Sequence, residues 1–396
     1  MKKLFLFAAL AAVGGAAVGA EPKILDVDKY LAGKTADENN IIWSVPGEGT
    51  PFKLVGFYWP KEADKQYNRL PWNPQQNIPG PVLWLGKHTA GGQIRFRTDS
   101  PRVLLRATVS NYGLMPHMAQ TGSSGFDLYV ANADGHYSFV NSSAHAIGEA
   151  TFSKEMFNHA GKKGEMHDFI IHFPLYDGVE KVEIGLQAGS KMEKPKPFAD
   201  PRPIVVYGTS ITQGGCASRP GMVFTNILSR RMNREFLNYG FSGNGKGEPE
   251  MAELLATIKD PAMYIIDYEA NEAGKMAETL TPFIDILRKA HPDTPIVIMT
   301  RIRFPEEAIF ETDTAVDPRP GAAGTRFKLQ KDEYERRKAE GDKHIYFIDG
   351  GKLMGDEDYA EGMVDCWHPT DLGFHRMAAN LEPQLEEIIA KEKAEE

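Results

Sequence analysis

The pattern of apolar and polar positions changes character near residue 199. Ahead of that point, alternation with a period of two recurs in "QIRFRTDS" (Ile94, Phe96), "VLLRATVS" (Val103, Leu105, Ala107, Val109), "DFIIHFPLY" and "KVEIGL" (Val182, Ile184, Leu186). Side chains of a strand alternate between its two faces, so each segment predicts a strand with one apolar face. Clusters of Gly, Asn, Asp and Pro separate these segments, and no convincing amphipathic helix interrupts them. That combination predicts a β-sandwich, jelly-roll-like in its all-strand composition.

The seam is "GSKMEKPKPFADPRP", Gly189 to Pro203, where four prolines and alternating charges break strand and helix patterns alike. Beyond it, short β-rich runs ("PIVVYG", "EFLNYG", "MYIIDY", "PIVIMT", "IYFIDG") alternate with helix-like stretches ("GMVFTNILSRRMN", "EPEMAELLATIKD", "MAETLTPFIDILRKA", "TRFKLQKDEYERRKAEG"). With a final helix beginning near Thr370, these make five strand–helix units and predict an α/β domain, a parallel sheet covered by helices on both faces. The expected organisation is a β-domain over 21–198 and an α/β domain over 199–396.

Residues 1–20 fit neither domain. Lys2 and Lys3 precede an apolar stretch that ends in the small residues Val18-Gly19-Ala20, the form of a secretory signal cut before Glu21. The expectation is a periplasmic or secreted protein with no membrane span. Composition agrees with two globular domains: 396 residues, 42% hydrophobic and 25% charged, with a formal net charge of −9. An acidic chain without a Lys/Arg run makes a poor nucleic-acid partner.

Candidate chemistry gathers at predicted strand ends. In open α/β sheets, sites form at the carboxyl ends of the strands, and "GTSITQGG" follows the first strand of the second domain. A serine hydroxyl is inert near neutral pH without a base, a group that orients the base, and donors for the oxyanion. "VDCWHPTDLGF" places Asp365 three residues before His368, so the carboxylate can take the imidazole Nδ1–H and leave Nε2 for Ser210. The second strand ends in "NYGFSGNGKG", where Gly243 can turn its N–H inward beside that of Ser210; the third ends in "DYEANEAG", where Asn271 offers a side-chain amide. Each feature alone is ordinary loop chemistry, and Asp-x-x-His alone equally describes a turn aspartate and a packed histidine. Their order at successive strand ends carries the reading. The eleven histidines fall in no metal-ligand spacing, and no metal or other cofactor is expected.

The second domain resembles the SGNH (GDSL) hydrolase family, whose four hallmark residues map onto Ser210, Gly243, Asn271 and His368, with Asp365 completing the triad. In the first domain "SGFDLYV" matches the GxDLY motif at Gly125, Phe126, Asp127, Leu128 and Tyr129, and resembles the β-domain that precedes one bacterial subgroup of these hydrolases. The resemblance implies a flavodoxin-like three-layer α/β/α hydrolase domain and a serine esterase, most similar to exported bacterial enzymes that remove acetyl or other short acyl groups from carbohydrates. A lipase or thioesterase, and a glycan-binding protein that has lost turnover, remain the alternatives. Two positions depart from the family pattern. Thr209 replaces the middle Asp of Gly-Asp-Ser, and Glu269 stands where a small residue is usual; a carboxylate beside an oxyanion opposes catalysis, so Glu269 is expected to point away.

Other residues complete the expectations. Cys216 lies six residues after Ser210 and Cys366 sits between Asp365 and His368, so either a disulfide pins the two loops together or both thiols are free. Trp43, Trp59, Trp72 and Trp84 offer rings to a sugar, with packing the commoner role for tryptophan in a sandwich. Arg69, Arg301 and Arg303 either reach the cleft or serve as structural and interdomain pairs. The insertion "ETDTAVDPRPGAAG" is a lid or a surface loop. Oligomeric state is not legible.

Overall fold

The computed structural model describes residues 35–47, 49–59, 67–113, 115–159, 164–309 and 323–395, together with Leu25–Asp26 and Tyr30. The signal-like segment 1–20 and most of the Pro- and Gly-rich insertion lie outside the described residues.

In chain order the strands are β1 (Leu25–Asp26), β2 (Ile41–Ser44), β3 (Lys53–Val55), β4 (Gln93–Thr98), β5 (Arg102–Val109), β6 (Asp127–Ala131), β7 (Tyr137–Ser142), β8 (Thr151–Asn158), β9 (His167–His172), β10 (Val179–Gln187), β11 (Lys191–Glu193), β12 (Asp200–Gly208), β13 (Arg234–Gly240), β14 (Met263–Asp267), β15 (Ile296–Met299) and β16 (Ile345–Ile348). The first eleven form two antiparallel sheets. One runs β2-β10-β5-β8; the other runs β1-β11-β4-β9-β6-β7, with β3 paired to β4.

Alternation decides what each face does. Along β5, Val103, Leu105, Ala107 and Val109 are buried while the residues between them are partly exposed. With Ile94, Phe96, Val182, Ile184 and Leu186 they fill the space between the two sheets. The sheet containing β4, β9 and β6 is buried on both faces. Its second face carries Gln93, Arg95, Asp127 and His172, polar residues that meet the α/β domain: Gln93 Nε2 donates to Ser229 Oγ at 3.2 Å. Two short helices, Gly80–Leu85 and Gln120–Ser123, interrupt the strands; at six and four residues they are too short to leave a helical period in the sequence.

The last five strands pair in parallel in the order β13-β12-β14-β15-β16. In the numbering of that domain alone this is 2-1-3-4-5, the flavodoxin-like order. Ile204 and Val206 of β12 pack on one side against helices Phe224–Met232 and Asp371–Glu395. Val205 and Tyr207 pack on the other against Pro249–Leu255 and Met276–Ala290. Residues on both faces are buried, which is why these strands read as continuous apolar runs rather than alternating ones. The strand order reverses between β12 and β14, so the carboxyl end of β12 borders the crevice of the switch point.

Candidate active site

Ser210 stands at that reversal, as the first residue of the short helix Ser210–Gln213. Thr209 caps the helix: its Oγ1 accepts the N–H of Ile211 at 3.3 Å. Threonine can therefore occupy the middle position of the Gly-x-Ser block, since that side chain serves the helix start and not the reaction. Ser210 is 8% exposed.

The loop after β16 brings the base. His368 Nε2 lies 3.0 Å from Ser210 Oγ, and Nδ1 lies 2.8 Å from Asp365 Oδ2. Asp365 Oδ1 also accepts the backbone N–H groups of Trp367 and His368, each at 2.7 Å. Burial alone would raise the Asp365 pKa, but these hydrogen bonds outweigh it and hold the carboxyl below its usual range. An ionised Asp365 fixes the proton on Nδ1 and leaves Nε2 as the acceptor for the Ser210 hydroxyl.

The turn after β13 is built by backbone geometry. Gly243 and Gly245 have φ of +65° and +71°, and a Cβ on Gly245 would lie 2.1 Å from the Gly208 carbonyl oxygen. Only glycine allows the turn to close against the end of β12. Phe241 N–H donates to Gly208 O at 3.0 Å and Ser242 N–H to Gln213 Oε1 at 2.9 Å. Asn271 Nδ2 donates to Asn244 O at 2.7 Å, which ties the third block to the second and leaves its other N–H free for a ligand. Gln213, one helical turn beyond Ser210, also donates from Nε2 to Leu175 O and to Nδ1 of His88. Burial, aided by the nearby charge of Arg69, pushes the His88 pKa down to about 3, so the ring stays neutral and accepts.

Glu269 is buried and turned toward β15. Its carboxylate accepts from Arg301 N–H at 2.8 Å and Gln330 Nε2 at 2.9 Å, and pairs with the Arg301 guanidinium at 3.4 Å. Arg301 also pairs with Glu307 at 2.5 Å, and Arg303 lies over the Tyr359 ring; both arginines line a cavity of about 230 Å³ with Lys352 and Asp349. Arg69 is an interdomain group, hydrogen-bonded to carbonyls of both domains.

Of the two alternatives for the cysteines, the structure has the free thiols: Cys216 is buried with residues of the apolar core, whereas Cys366 is exposed. Hydrogen bonds pin the two loops instead. Cys216 N–H donates to Pro369 O at 3.1 Å, and Ser218 donates to Asp371 through its N–H at 2.8 Å and its Oγ at 2.5 Å.

The tryptophans divide. Trp59 packs on Tyr239 and bonds Thr257, and Trp43 lies under Arg106 and donates to Asp37. Trp84 and Trp72 are 46% and 39% exposed; Trp84 rests on His88 and Tyr112. The most exposed of these rings is Trp367, 52% exposed and adjacent to His368, outside the four tryptophans first considered.

The first domain reaches the site twice. Met115–Met118, on the β5–β6 connection, brings the His117 ring to 5.5 Å from that of His368. The GxDLY strand works through alternation: Phe126 and Leu128 enter the sandwich core, while Asp127 and Tyr129 face the segment after Ser210. Asp127, fully buried, accepts from His172 Nδ1 at 2.8 Å, Arg219 Nη1 at 3.1 Å and Gly221 N–H at 2.8 Å. Burial opposes its charge, but His172, Arg219 and Arg230 outweigh burial and keep the carboxyl ionised. Thr121 Oγ1 adds a 2.5 Å bond to Ser218 O.

Beneath Ser210, Asp267 at the end of β14 accepts from Thr212 Oγ1 at 2.7 Å. Burial lifts its pKa to about 8. The unfolded carboxyl titrates near pH ~4, so between roughly pH 4 and 8 the native state holds a proton that the unfolded state has lost. Stability then falls as pH rises through that window. Asp267→Asn removes this slope: its Tm relative to wild type is expected to climb by at least a few degrees from pH 5 to pH 8, since about 1 kcal/mol moves a domain of this size by ~2–4 °C. A pH-independent difference in Tm would show that Asp267 stays ionised.

A flavodoxin-like sheet with a buried serine, a histidine and an aspartate hydrogen-bonded in series at its switch point is the arrangement that serine-type hydrolysis requires. Residues 201–386 match the GDSL-like lipase/acylhydrolase family and residues 43–192 match GxDLY, the "N-terminus of Esterase_SGNH_hydro-type". Among solved structures the chain is similar to a Bacteroides ovatus protein assigned as a GDSL-like lipase, with 30% identity and a TM-score of 0.77 over 89% of this chain and 98% of that one. It shares its fold with the salicylyl-acyltransferase SsfX3 of a tetracycline biosynthetic pathway (18% identity, TM-score 0.69, 89% and 98% covered) and with a family two carbohydrate esterase from Cellvibrio japonicus (15%, 0.52, 88% and 98%). No curated protein matches the sequence. The chain belongs to the SGNH/GDSL hydrolases with an N-terminal GxDLY domain, and is an ester-hydrolysing enzyme of that family.

Proposed function

We propose that the protein is an exported serine esterase that removes acetyl or other short acyl groups from carbohydrates. The observation that carries the mechanism is the unbroken series Asp365–His368–Ser210, with bonds of 2.8 and 3.0 Å, at the switch point of the sheet. Ser210 Oγ attacks the ester carbonyl as His368 Nε2 takes its proton, and Asp365 stabilises the imidazolium. The N–H groups of Ser210 and Gly243 and the free amide N–H of Asn271 hold the oxyanion. His368 then protonates the departing sugar hydroxyl and activates a water to release the acid. No cofactor takes part in these steps.

The near-complete burial of Ser210 favours a small acyl group over a long chain. Trp367, exposed beside His368, offers a flat face to the apolar side of a sugar ring. The signal-like N-terminus supports export.

The test is acetate release from acetylated oligosaccharides, beside hydrolysis of p-nitrophenyl acetate and of a long-chain ester, in wild type and Ser210→Ala. Ser210-dependent acetate release with little long-chain activity supports the proposal. Long-chain preference would replace it with a lipase, and glycan binding without turnover with a binding protein. Trp367→Ala is expected to raise KM for the oligosaccharide about fivefold, the equivalent of ~1 kcal/mol of stacking, with KM for p-nitrophenyl acetate unchanged. Equal changes on both substrates would place Trp367 in loop packing instead.

A further inference from the structure

Three side chains from three distant parts of the sequence meet beside Ser210. His117 comes from the β5–β6 connection, Cys216 from the segment after the serine helix, and His368 from the loop after β16. One ligand atom of each lies within 4.8 Å of the other two. Cys216 is a free thiol at the edge of the apolar core, 7% exposed, and its backbone is bonded to Pro369 next to His368. His117 is half-buried and contributes nothing to the proposed ester chemistry.

We propose that His117, Cys216 and His368 bind a single thiophilic divalent cation, zinc by preference, and that its binding switches the esterase off by occupying His368. The switching half rests on the serine-esterase reading above. Zinc takes both imidazole nitrogen and thiolate sulfur as ligands, and three protein ligands leave the fourth tetrahedral position to solvent. Zinc bonds of about 2.0–2.3 Å require ligand–ligand separations of roughly 3.3–3.8 Å. The trio therefore has to draw in by about 1 Å, a movement open to the half-buried His117.

His368 is already oriented for the task. Its Nδ1 is held by Asp365 at 2.8 Å, so Nε2 is the nitrogen left to face a cation. A carboxylate behind a ligating histidine is the arrangement that fixes the ring and strengthens its donation. That same Nε2 faces Ser210 Oγ at 3.0 Å, so cation and serine compete for one lone pair. On ligation the Cys216 thiol releases one proton to solvent, and both imidazoles bind as neutral donors. The net charge of +1 at the cation lies close to the Asp365 carboxylate.

The experiment is a titration of the full chain with CdCl2, followed by sulfur-to-cadmium charge-transfer absorption in the ultraviolet, and with ZnCl2, followed by p-nitrophenyl acetate turnover. Wild type is expected to take up one Cd2+ per chain with a charge-transfer band, and to lose turnover in step with zinc occupancy. Cys216→Ser loses the band; His117→Ala weakens binding by more than about tenfold, since even loss of an outer partner of a metal ligand costs ~10–100-fold. Each variant is compared with its own zinc-free rate. A band that persists in Cys216→Ser and vanishes in Cys366→Ser overturns the site, as does His117→Ala with wild-type affinity. Zinc saturation that leaves turnover unchanged overturns His368 as a ligand. A Cys216-dependent cadmium band in a chain with no ester turnover upholds the cation site and strikes out both the inhibition and the esterase reading beneath it.

Discussion

Ser210→Ala is expected to lower kcat for p-nitrophenyl acetate by about 10⁴–10⁶-fold, with the fold and Tm close to those of wild type. The reason lies in how the three groups depend on one another. His368 has no proton to take without Ser210 Oγ, and water positioned by the remaining oxyanion donors gives only the residual catalysis that such donors supply on their own. Asp365→Asn gives a graded version of the same test. An amide can donate to Nδ1, which moves the imidazole proton to Nε2 and removes the acceptor facing Ser210; the expected loss is about 10⁴-fold. The two losses should not add. Ser210→Ala/Asp365→Asn should be no slower than Ser210→Ala within a few-fold, because the aspartate acts only through the histidine and the histidine only through the serine. Additive losses in the double variant, or a Ser210→Ala enzyme that keeps a tenth of wild-type turnover, would mean that another residue is the nucleophile.

These residues were legible in the sequence because they lie on short motifs at strand ends. Asp365 and His368 share one loop, so three residues of spacing already define their bond. Ser210, Gly243 and Asn271 each follow a run whose length and apolarity identify a buried parallel strand. The same runs made the five-strand parallel sheet readable, and the family resemblance made its flavodoxin-like layering readable. What stayed hidden depends on contacts between segments with no sequence relation. His117 sits between turn residues in "GLMPHM" and carries no local signal that it will approach His368. Gln213 could have been suspected, since one helical turn separates it from Ser210 and a polar residue there must find partners; that it carries Ser242 N–H could not. The free thiols show the limit of loop proximity as an argument: the Cys216 and Cys366 loops are adjacent, yet their side chains occupy opposite environments, one in the core and one in solvent.

The GxDLY motif illustrates a further kind of legibility. As a pattern it identifies the domain; as an alternating strand it explains itself. Two of its residues belong to the sandwich core, and the two between them must face something else that is buried. That partner is the Ser218–Gly221 segment, which begins five residues after the end of the short helix that Ser210 starts. Asp127 meets an arginine and a backbone N–H there, so the first domain helps to shape the wall of the site as well as contributing His117. The interface is polar because the sheet that forms it is sandwiched between two folded bodies and has to satisfy its polar groups across the seam.

Arg69 is where that seam should be most sensitive. Its side chain is fully buried and, among the described residues, no carboxylate hydrogen-bonds to it; its guanidinium donates instead to four carbonyls, Leu85 O at 2.7 Å and His88 O at 2.7 Å in the first domain, Asn238 O at 2.9 Å and Gly240 O at 2.8 Å in the second. Burial draws its pKa down to about 9, the direction expected of a cation whose partners are dipoles. Arg69→Met keeps the length of the side chain and removes every donor. Each buried carbonyl left without a partner costs about 1–3 kcal/mol, and part of that is recovered by relaxation and by no longer burying a charge. The expected net loss is roughly 3–5 kcal/mol, or a Tm lower by about 6–20 °C. Because Asn238 and Gly240 end β13 and lead into the Gly243 turn, kcat should fall even at temperatures where the variant is folded. Arg69→Lys, which can satisfy some of the four acceptors, should fall between Met and wild type. Calorimetry distinguishes a staple from a local packing residue: loss of a staple should separate unfolding into two transitions, one for each domain. A single transition within about 2 °C of wild type would mean that the other contacts across the β4–β9–β6 face hold the domains together without Arg69.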